Sequence, residues 1–353
     1  MISSDLQTTV RFRWLRAPLD DRIRLIYPEW KDHPLVISTR ELSSNASFVK
    51  YVHHHQVKNL RNGQTIDIIE KSIRKVLFLS SQEARFHRQN KMLTHSKRFR
   101  HPFCFGVIDT PFESLIFTEF VHGKPPRMHA IAQYLGKCIA EQELLSHIFL
   151  TGQGSRRAGL YWSMDFFRPW FILRPRFNFP RYLKHLHLLA REDKSFTGMA
   201  EQFKALIPVT KVLAEQAQRS PRCISHMDYL RKNLFVLNRH LHLIDWSEVK
   251  IGRVGFDGGA YLGSLFRRKE MGVFITARSQ FTESYLAALS EGFSSDEALR
   301  NLHYTFIITA LHHCLRPENI DEHRQKGSLS QLLDKYNYLL EQLRSLAPGV
   351  QTP

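Results

Sequence analysis

The succession of segment types along this chain predicts an α+β fold in two lobes, the first rich in strands and the second mainly helical. Extended segments dense in aromatic and β-branched residues fill the N-terminal part. Apolar residues at helical spacing take over in the C-terminal part. Between them, Gly123 and Pro125-Pro126 break both patterns. With 353 residues the chain is long enough for two domains, or for one domain whose two lobes flank a cleft. The boundaries drawn from these patterns are an N-terminal extension over 1–34, a first lobe over 35–122 and a second over 123–353.

The elements follow in order. Ser47 to Val57 (SFVKYVHHHQV) reads as a strand. Arg61-Asn62-Gly63-Gln64 is a turn, because Asn-Gly supplies the positive-φ positions that a tight hairpin needs. Thr65 to Glu70 (TIDIIE) resumes a strand. A helix starts at Ser80 or Ser81, with Glu83 in its first turn. Two apolar segments follow His101-Pro102, around Phe103 to Ile108 and Leu115 to Phe120. Beyond the break, Ile131, Leu135, Cys138, Ile139 and Leu145 recur at helical spacing. A short β-rich insert spans Leu234 to Asp245. Ser294 with Glu297 makes a capping box for a late helix. Leu329, Leu332, Leu333, Tyr336, Leu340 and Leu343 form the apolar stripe of the last one, which predicts core packing.

Composition narrows the classes. Hydrophobic residues make up 43% and charged residues 24%, as in soluble globular proteins. Apolar runs are short; the longest, Tyr304 to Leu311, is far below spanning length. The N-terminus carries Arg11, Arg13 and Arg16 and no apolar signal core. Cys104, Cys138, Cys223 and Cys314 are scattered, without metal-ligand or disulfide spacing, which fits a reducing cytoplasm. The net charge of +17 stands out. It attracts anions: nucleic acid, acidic lipid headgroups or a phosphorylated substrate. A solvated basic surface is the plainer reading of the same number.

The chemistry concentrates between Ile224 and Asp257. His226, Asp228 and Asn233 fit H-x-D-x-x-x-x-N, and Asp245 follows the apolar strand Leu241 to Ile244. Leu234 to Leu237, a turn at Asn238-Arg239 and that strand form a hairpin, which predicts that Asp228, Asn233 and Asp245 share one small volume. Phosphoryl transfer needs such a group: one carboxylate to orient or deprotonate the attacking hydroxyl, and an amide oxygen and a second carboxylate to hold Mg²⁺. Hard oxygen ligands suit that ion.

In these residues the chain resembles the aminoglycoside phosphotransferase and choline kinase superfamily. The resemblance rests on His226-Met227-Asp228, Asn233, Ile244-Asp245-Trp246, Gly252 and Asp257. It implies a protein-kinase-like fold and transfer of the ATP γ-phosphate to a small-molecule hydroxyl. It also implies Asp228 as base, Asn233 and Asp245 as metal ligands, ATP and Mg²⁺ as cofactors, and a structural Asp257. Met227 departs from the family, where Gly is common.

The nucleotide-binding parts are then sought in the first lobe. Lys71, ending TIDIIEK, is the candidate to pair the α/β-phosphates, with Lys75 in reserve, and Glu83 is the candidate to hold that lysine. The phosphate-covering turn falls at Leu42 to Ser47, with Ser44 and Asn45 at its centre and none of the glycines of a protein-kinase loop. LIFTEFVHG resembles the hinge, where main-chain groups around Glu119 to Val121 would hold adenine.

The acceptor is written more faintly. Gly152 to Lys184 holds nine aromatics and seven Arg/Lys against one acidic residue, Asp165. Such a segment suits an anionic membrane surface or amphiphile, or else packs its rings in the core beneath solvated arginines. Lys71 to His101 is a second basic run, with nine Lys/Arg and only Glu83 acidic. An aminoglycoside site should be acidic, so the charge argues against that substrate and, less firmly, against choline. The expected partner is a small hydroxyl compound, a sugar or a lipid-linked acceptor, met in the cytoplasm or at the inner face of a membrane. Two other classes compete. One is a catalytically silent kinase-like binding protein. The other is a nucleic-acid-binding protein suggested by charge alone, without a recognised nucleic-acid-binding motif. Oligomeric state leaves no signal. His53-His54-His55 alternates across a strand and cannot aim three rings at one metal, and His312-His313-Cys314 lies on a helix.

Overall fold

A computed structural model describes residues 9–13, 15–46, 48–75, 81–89, 96–152, 165–167, 179–289 and 292–346. In chain order, the first elements are β1 (Thr9–Phe12), α1 (Leu19–Ile26), β2 (Leu35–Ala46), β3 (Val49–Asn59), β4 (Thr65–Arg74), α2 (Gln82–Gln89), β5 (Phe99–Arg100), β6 (Cys104–Asp109) and β7 (Glu113–Glu119). Then follow α3 (Ala132–Thr151), α4 (Phe179–Glu192), α5 (Met199–Gln218), β8 (Arg222–Ser225), β9 (Leu234–Leu237), β10 (His240–Leu243) and β11 (Lys250–Arg253). The last are α6 (Phe256–Arg268), α7 (Met271–Ala288), α8 (Ser295–Cys314), α9 (Pro317–Gln325) and α10 (Leu329–Ser345). The architecture is α+β, a β-rich lobe followed by a mainly helical one. Two units divide the chain: Met1–Pro125 with Asn233–Val249, and Pro126–Lys232 with Lys250–Pro353. The hairpin β9–β10 therefore groups with the first unit, and so do β1 and α1, which precede residue 35.

The first unit is built on a six-stranded sheet in the order β1-β6-β7-β4-β3-β2. Only β1 and β6 run parallel; the other pairs are antiparallel. Alternation along β4 sends Glu70 and Lys71 to opposite faces. On the Glu70 face, α1 lays Ile23 and Ile26 into a core with Trp30, Val57, Ile68 and Phe117. Asp20 and Asp21 in its first turn and Arg24 in its last suit the helix dipole. Glu70 lies fully buried there, 2.9 Å from Arg22 Nη2, and Tyr51 Oη donates to it at 2.5 Å. Burial works to raise its pKa, but the His55 hydrogen bond and the Arg22 charge hold it down at about 2. On the other face, Ala84 of α2 packs with Ile73, Cys104, Val107 and Ile116. A second sheet, β5-β10-β9, attaches the hairpin to this unit.

In the second unit α6 is buried at every position from Phe256 to Phe266. A helix without a solvent face is a core helix. Gly259 makes this possible, since a Cβ there would lie 2.5 Å from the Leu302 carbonyl oxygen of α8. Ser294 caps α8 by accepting the Glu297 N–H. The stripe of α10 is buried at Leu332, Tyr336, Leu340 and Leu343, with Leu329 and Leu333 half-buried and Leu339 added. His312 and His313 are half-buried and Cys314 is buried. Among the described residues no helix is long and apolar enough to cross a membrane.

Candidate active site

Three separate elements of the first unit converge on one lysine. Lys71 sits between Val52 of β3 and Ile116 of β7 in the sheet register, so neighbours on both sides fix its backbone. Its Nζ lies 2.7 Å from Glu83 Oε2 and 2.6 Å from Asp245 Oδ1. The lysine side chain is 11% exposed, and that of Asp245 is 27%. Burial opposes the ammonium charge, yet the two carboxylates outweigh it and raise the Lys71 pKa. Glu83 is held by α2, whose start is fixed by Ser81 Oγ accepting the Ala84 N–H at 3.1 Å. Burial raises the Glu83 pKa, while Lys71 and the main-chain N–H of Trp246 act to lower it. Lys75 takes a different partner, Asp109 Oδ1 at 3.0 Å.

Asp245 is placed by the hairpin. The Ile244 N–H donates to the Asn233 carbonyl at 2.9 Å and closes the hairpin base. Asp245 then adopts φ 62, a left-handed conformation that Asp tolerates better than most residues. The next residue, Trp246, is buried and stacks on Phe86 of α2 at 3.9 Å with the rings 15° apart. Its Nε1 donates to the Leu243 carbonyl at 3.1 Å. An aromatic pair contributes ~0.5–1.5 kcal/mol beyond its buried area. It therefore clamps α2 to the hairpin, and Glu83 to Asp245. Asn233, the last residue of a single helical turn before β9, is buried.

These donors suit a hard cation. Among the described residues no group of three His, Cys, Asp or Glu could hold a metal ion by protein ligands alone. A half-exposed carboxylate and an amide oxygen match an ion such as Mg²⁺, which takes few protein ligands and completes its shell with phosphate and water. The hinge stretch offers main-chain groups that a nucleotide could use. The N–H groups of Glu119 and Phe120 donate to Phe103 and Asp67 carbonyls. The main-chain N–H and C=O of Val121 have no partner among the described residues. A free main-chain donor and acceptor could pair with N1 and the N6 amino group of an adenine.

Asp228 lies in the second unit, in the loop after β8. A carboxylate from another element shapes that loop. Asp257, fully buried at the start of α6, accepts the His226 N–H at 3.2 Å, the Met227 N–H at 3.0 Å and the Gln142 amide at 2.9 Å. Burial pushes the Asp257 pKa up to about 6, against the pull of these hydrogen bonds. Met227 takes φ 65, the left-handed region where Gly is at ease, so the departure noted in the sequence is a local strain of ~1–2 kcal/mol. The Asp228 N–H donates to His226 Nδ1 at 3.2 Å. Gly252 lets β11 run close to β8: a Cβ there would lie 2.2 Å from Ser225 Oγ.

Other expected features fall elsewhere. Leu42 to Ala46 form the end of β2 rather than a turn, with Ser44 opposite Tyr51; this puts Ser44 and Asn45 on a strand near the hairpin tip. His53, His54 and His55 approach separate carboxylates, Glu41, Asp67 and Glu70. Of the basic aromatic segment, Asp165, Phe166 and Phe167 are described; Trp162, Trp170 and Phe171 lie outside the described residues. Asp165 is buried against Arg253, and Phe166 packs edge-on to Phe256. Sequence reading passed over Gln142 and Glu143. Both sit on α3 facing inward, and Glu143 accepts the Gly255 N–H and the Tyr285 hydroxyl.

No family model and no curated protein matches the chain in sequence. Solved structures do match it in fold. An aminoglycoside phosphotransferase from Alicyclobacillus acidocaldarius aligns over 94% of this chain and 97% of its own, at 15% identity and a TM-score of 0.52. A choline kinase from Cryptosporidium parvum aligns over 92% and 94%, at 13% identity and a TM-score of 0.50. An amicoumacin kinase in complex with AMP-PNP, Ca²⁺ and Ami aligns over 84% and 90%, at 10% identity and a TM-score of 0.53. The resemblance carried in the sequence from His226 to Asp257 is thus joined by a likeness of fold over 92–94% of the chain, which has the protein-kinase-like fold of choline kinase and aminoglycoside phosphotransferase structures.

Proposed function

We propose that this protein is an ATP- and Mg²⁺-dependent phosphotransferase that moves the γ-phosphoryl group to a hydroxyl of a small molecule. The observation that carries the reading is the convergence of Lys71, Glu83 and Asp245 from strand, helix and hairpin onto one charge cluster, with Lys71 and Glu83 largely buried and Asp245 at its half-exposed edge. An ion pair as deep as Lys71–Glu83 costs desolvation and adds little stability over apolar packing. Such an arrangement suits a site that holds phosphates in place.

In this reading Lys71, oriented by Glu83, binds the α/β-phosphates, and the Val121 main chain binds adenine. Asp245 and Asn233 would hold Mg²⁺, which when bound would neutralise phosphate charge. Asp228 orients the acceptor hydroxyl and accepts its proton. The acceptor oxygen forms a bond to the γ-phosphorus, the bond from that phosphorus to the β–γ bridging oxygen breaks, and ADP leaves. Lys71 acts as preorganised charge, so it need not rearrange as the reaction proceeds.

The test starts without knowledge of the acceptor. Mg²⁺-ATP at millimolar concentration should raise the melting temperature of the intact chain by mass action, and Lys71→Ala should abolish that rise while Lys75→Ala keeps it. An unchanged melting temperature in the wild type would sink the reading at nucleotide binding. A screen of hydroxyl compounds with radiolabelled ATP then seeks the acceptor. Nucleotide binding with no transfer to any of them would leave a silent binding protein.

A further inference from the structure

The second unit contains a cavity of about 580 Å³. That is the size of a small-molecule site. Its lining is strongly one-signed: Arg127, Arg231, Arg268 and Lys269 contribute four cations, and no lining residue carries a carboxylate. None of these four has an ion-pair partner among the described residues. His129 also lines the cavity, and its Nδ1 is buried without a hydrogen-bond partner. Structural anchoring accounts for part of this lining. Arg268 ends α6 and Lys269 follows it, where cations suit the helix dipole. The same dipole gives no reason for Arg127 and Arg231, which come from two other segments. The segment of Arg127 and His129 is held in place, because the Tyr261 hydroxyl of α6 donates to the Met128 carbonyl at 2.8 Å.

Arg127, Arg231 and Arg268 are exposed and Lys269 half-buried; cations lining one concave space repel one another through the solvent, and a bound anion relieves that repulsion. Arginine forks also match phosphate oxygens in pairs. The cavity adjoins the loop given the base in the proposed reaction, since Tyr229 and Arg231, one and three residues after Asp228, belong to its lining. We infer that this cavity holds the phosphate group of the acceptor: the substrate is a hydroxyl compound that already bears a phosphate, as a soluble phosphoester or as a lipid headgroup. This inference rests on the phosphotransferase reading and narrows its substrate class.

Binding would be measured on the intact chain with Mg²⁺ and AMP-PNP present to fill the nucleotide site. Glucose 6-phosphate and glycerol 3-phosphate are compared with glucose, glycerol and choline. Phosphatidylglycerol–phosphatidylcholine vesicles are compared with pure phosphatidylcholine. The phosphorylated probes should bind at least tenfold more tightly than the neutral ones, and Arg127→Glu with Arg268→Glu should remove that preference while AMP-PNP affinity stays as it was. Arg127→Gln with Arg268→Gln repeats the test should the reversal of charge impair folding, which thermal melting would reveal. Preference for soluble esters assigns a soluble acceptor; preference for the anionic vesicles alone assigns a headgroup. Equal binding of charged and neutral probes, or a preference that survives both double variants, overturns the inference with the kinase reading intact. Failure of AMP-PNP to bind overturns the kinase reading instead, and the phosphate titration repeated without nucleotide still decides what the cavity binds.

Discussion

Asp228 and Asp245 are both carboxylates near the same motif, yet their surroundings predict different losses. Asp245 touches Lys71 and is the proposed metal ligand, so it acts before and during the reaction. Asp228 has a proposed part only once an acceptor hydroxyl is present. Asp228→Asn should therefore lower turnover by roughly two or more powers of ten, the scale of a positioned acid–base group, and leave nucleotide affinity nearly unchanged. Asp245→Asn should lower both. Titration of Mg²⁺-AMP-PNP into each variant, with melting as the check on folding, separates the cases; equal loss of nucleotide binding in both would reverse the roles. The Lys71–Glu83 pair was legible in the sequence because a strand lysine and the next helix's first-turn glutamate lie close along the chain. The contact of Lys71 with Asp245 spans a separation of 174 residues, and only the likeness to a known motif made it readable.

At the scale of elements, the loop carrying Asp228 owes its shape to Asp257 on α6. Protonation of that carboxyl links the loop to pH. Its pKa in the folded protein is about 6, above the ordinary value of ~4. The folded state thus holds the proton more tightly than the unfolded chain. The contribution of Asp257 to stability is greatest below pH ~4 and declines as pH rises to about 6, beyond which it is constant. Asp257→Asn removes the titration and leaves two loop N–H groups with a poorer acceptor. The stability lead of the wild type over this variant, followed by urea unfolding, should shrink between those two pH values; a lead that widens there would contradict the assignment. The motif could be read from its spacing, whereas its support could not. Gln142 and Glu143 look like ordinary polar residues of an amphipathic helix, and their partners lie 115 and 112 residues further on. The turn expected over Leu42 to Ser47 gives way to strand as far as Ala46 for a related reason: pairing with β3 through Ala46 and Val49 extends the strand past a polar stretch that local propensity alone would bend.

For the molecule as a whole, the unit that holds Lys71 is discontinuous, because Asn233–Val249 belongs with Met1–Pro125. No composition shift marks this. The link runs partly through β5, a strand of two residues beside β10, too short to leave a pattern. The consequence for dissection is direct. Residues 1–125 expressed alone would lack Asp245, the ring that covers Phe86 and the partner of β5. The loss of a buried Trp alone costs ~3–5 kcal/mol in comparable cores. That fragment should melt well below one in which 233–249 is rejoined through a flexible linker, as followed by circular dichroism. Equal melting of the two fragments would show that the hairpin adds nothing to the unit.

The stack of Trp246 on Phe86 also offers an optical window on the proposed nucleotide site. The indole sits one residue from Asp245, and its own main-chain N–H reaches Glu83. Ion or nucleotide arriving at either carboxylate should alter the field on that ring. Its emission should therefore shift when Mg²⁺ and AMP-PNP are added together, and shift less with either alone. The chain has five tryptophans, so Trp246→Phe serves as the blank. A signal that vanishes in this variant would belong to the site; one that persists would come from another indole. Rapid mixing would then give the rates of nucleotide arrival and departure, with no turnover required.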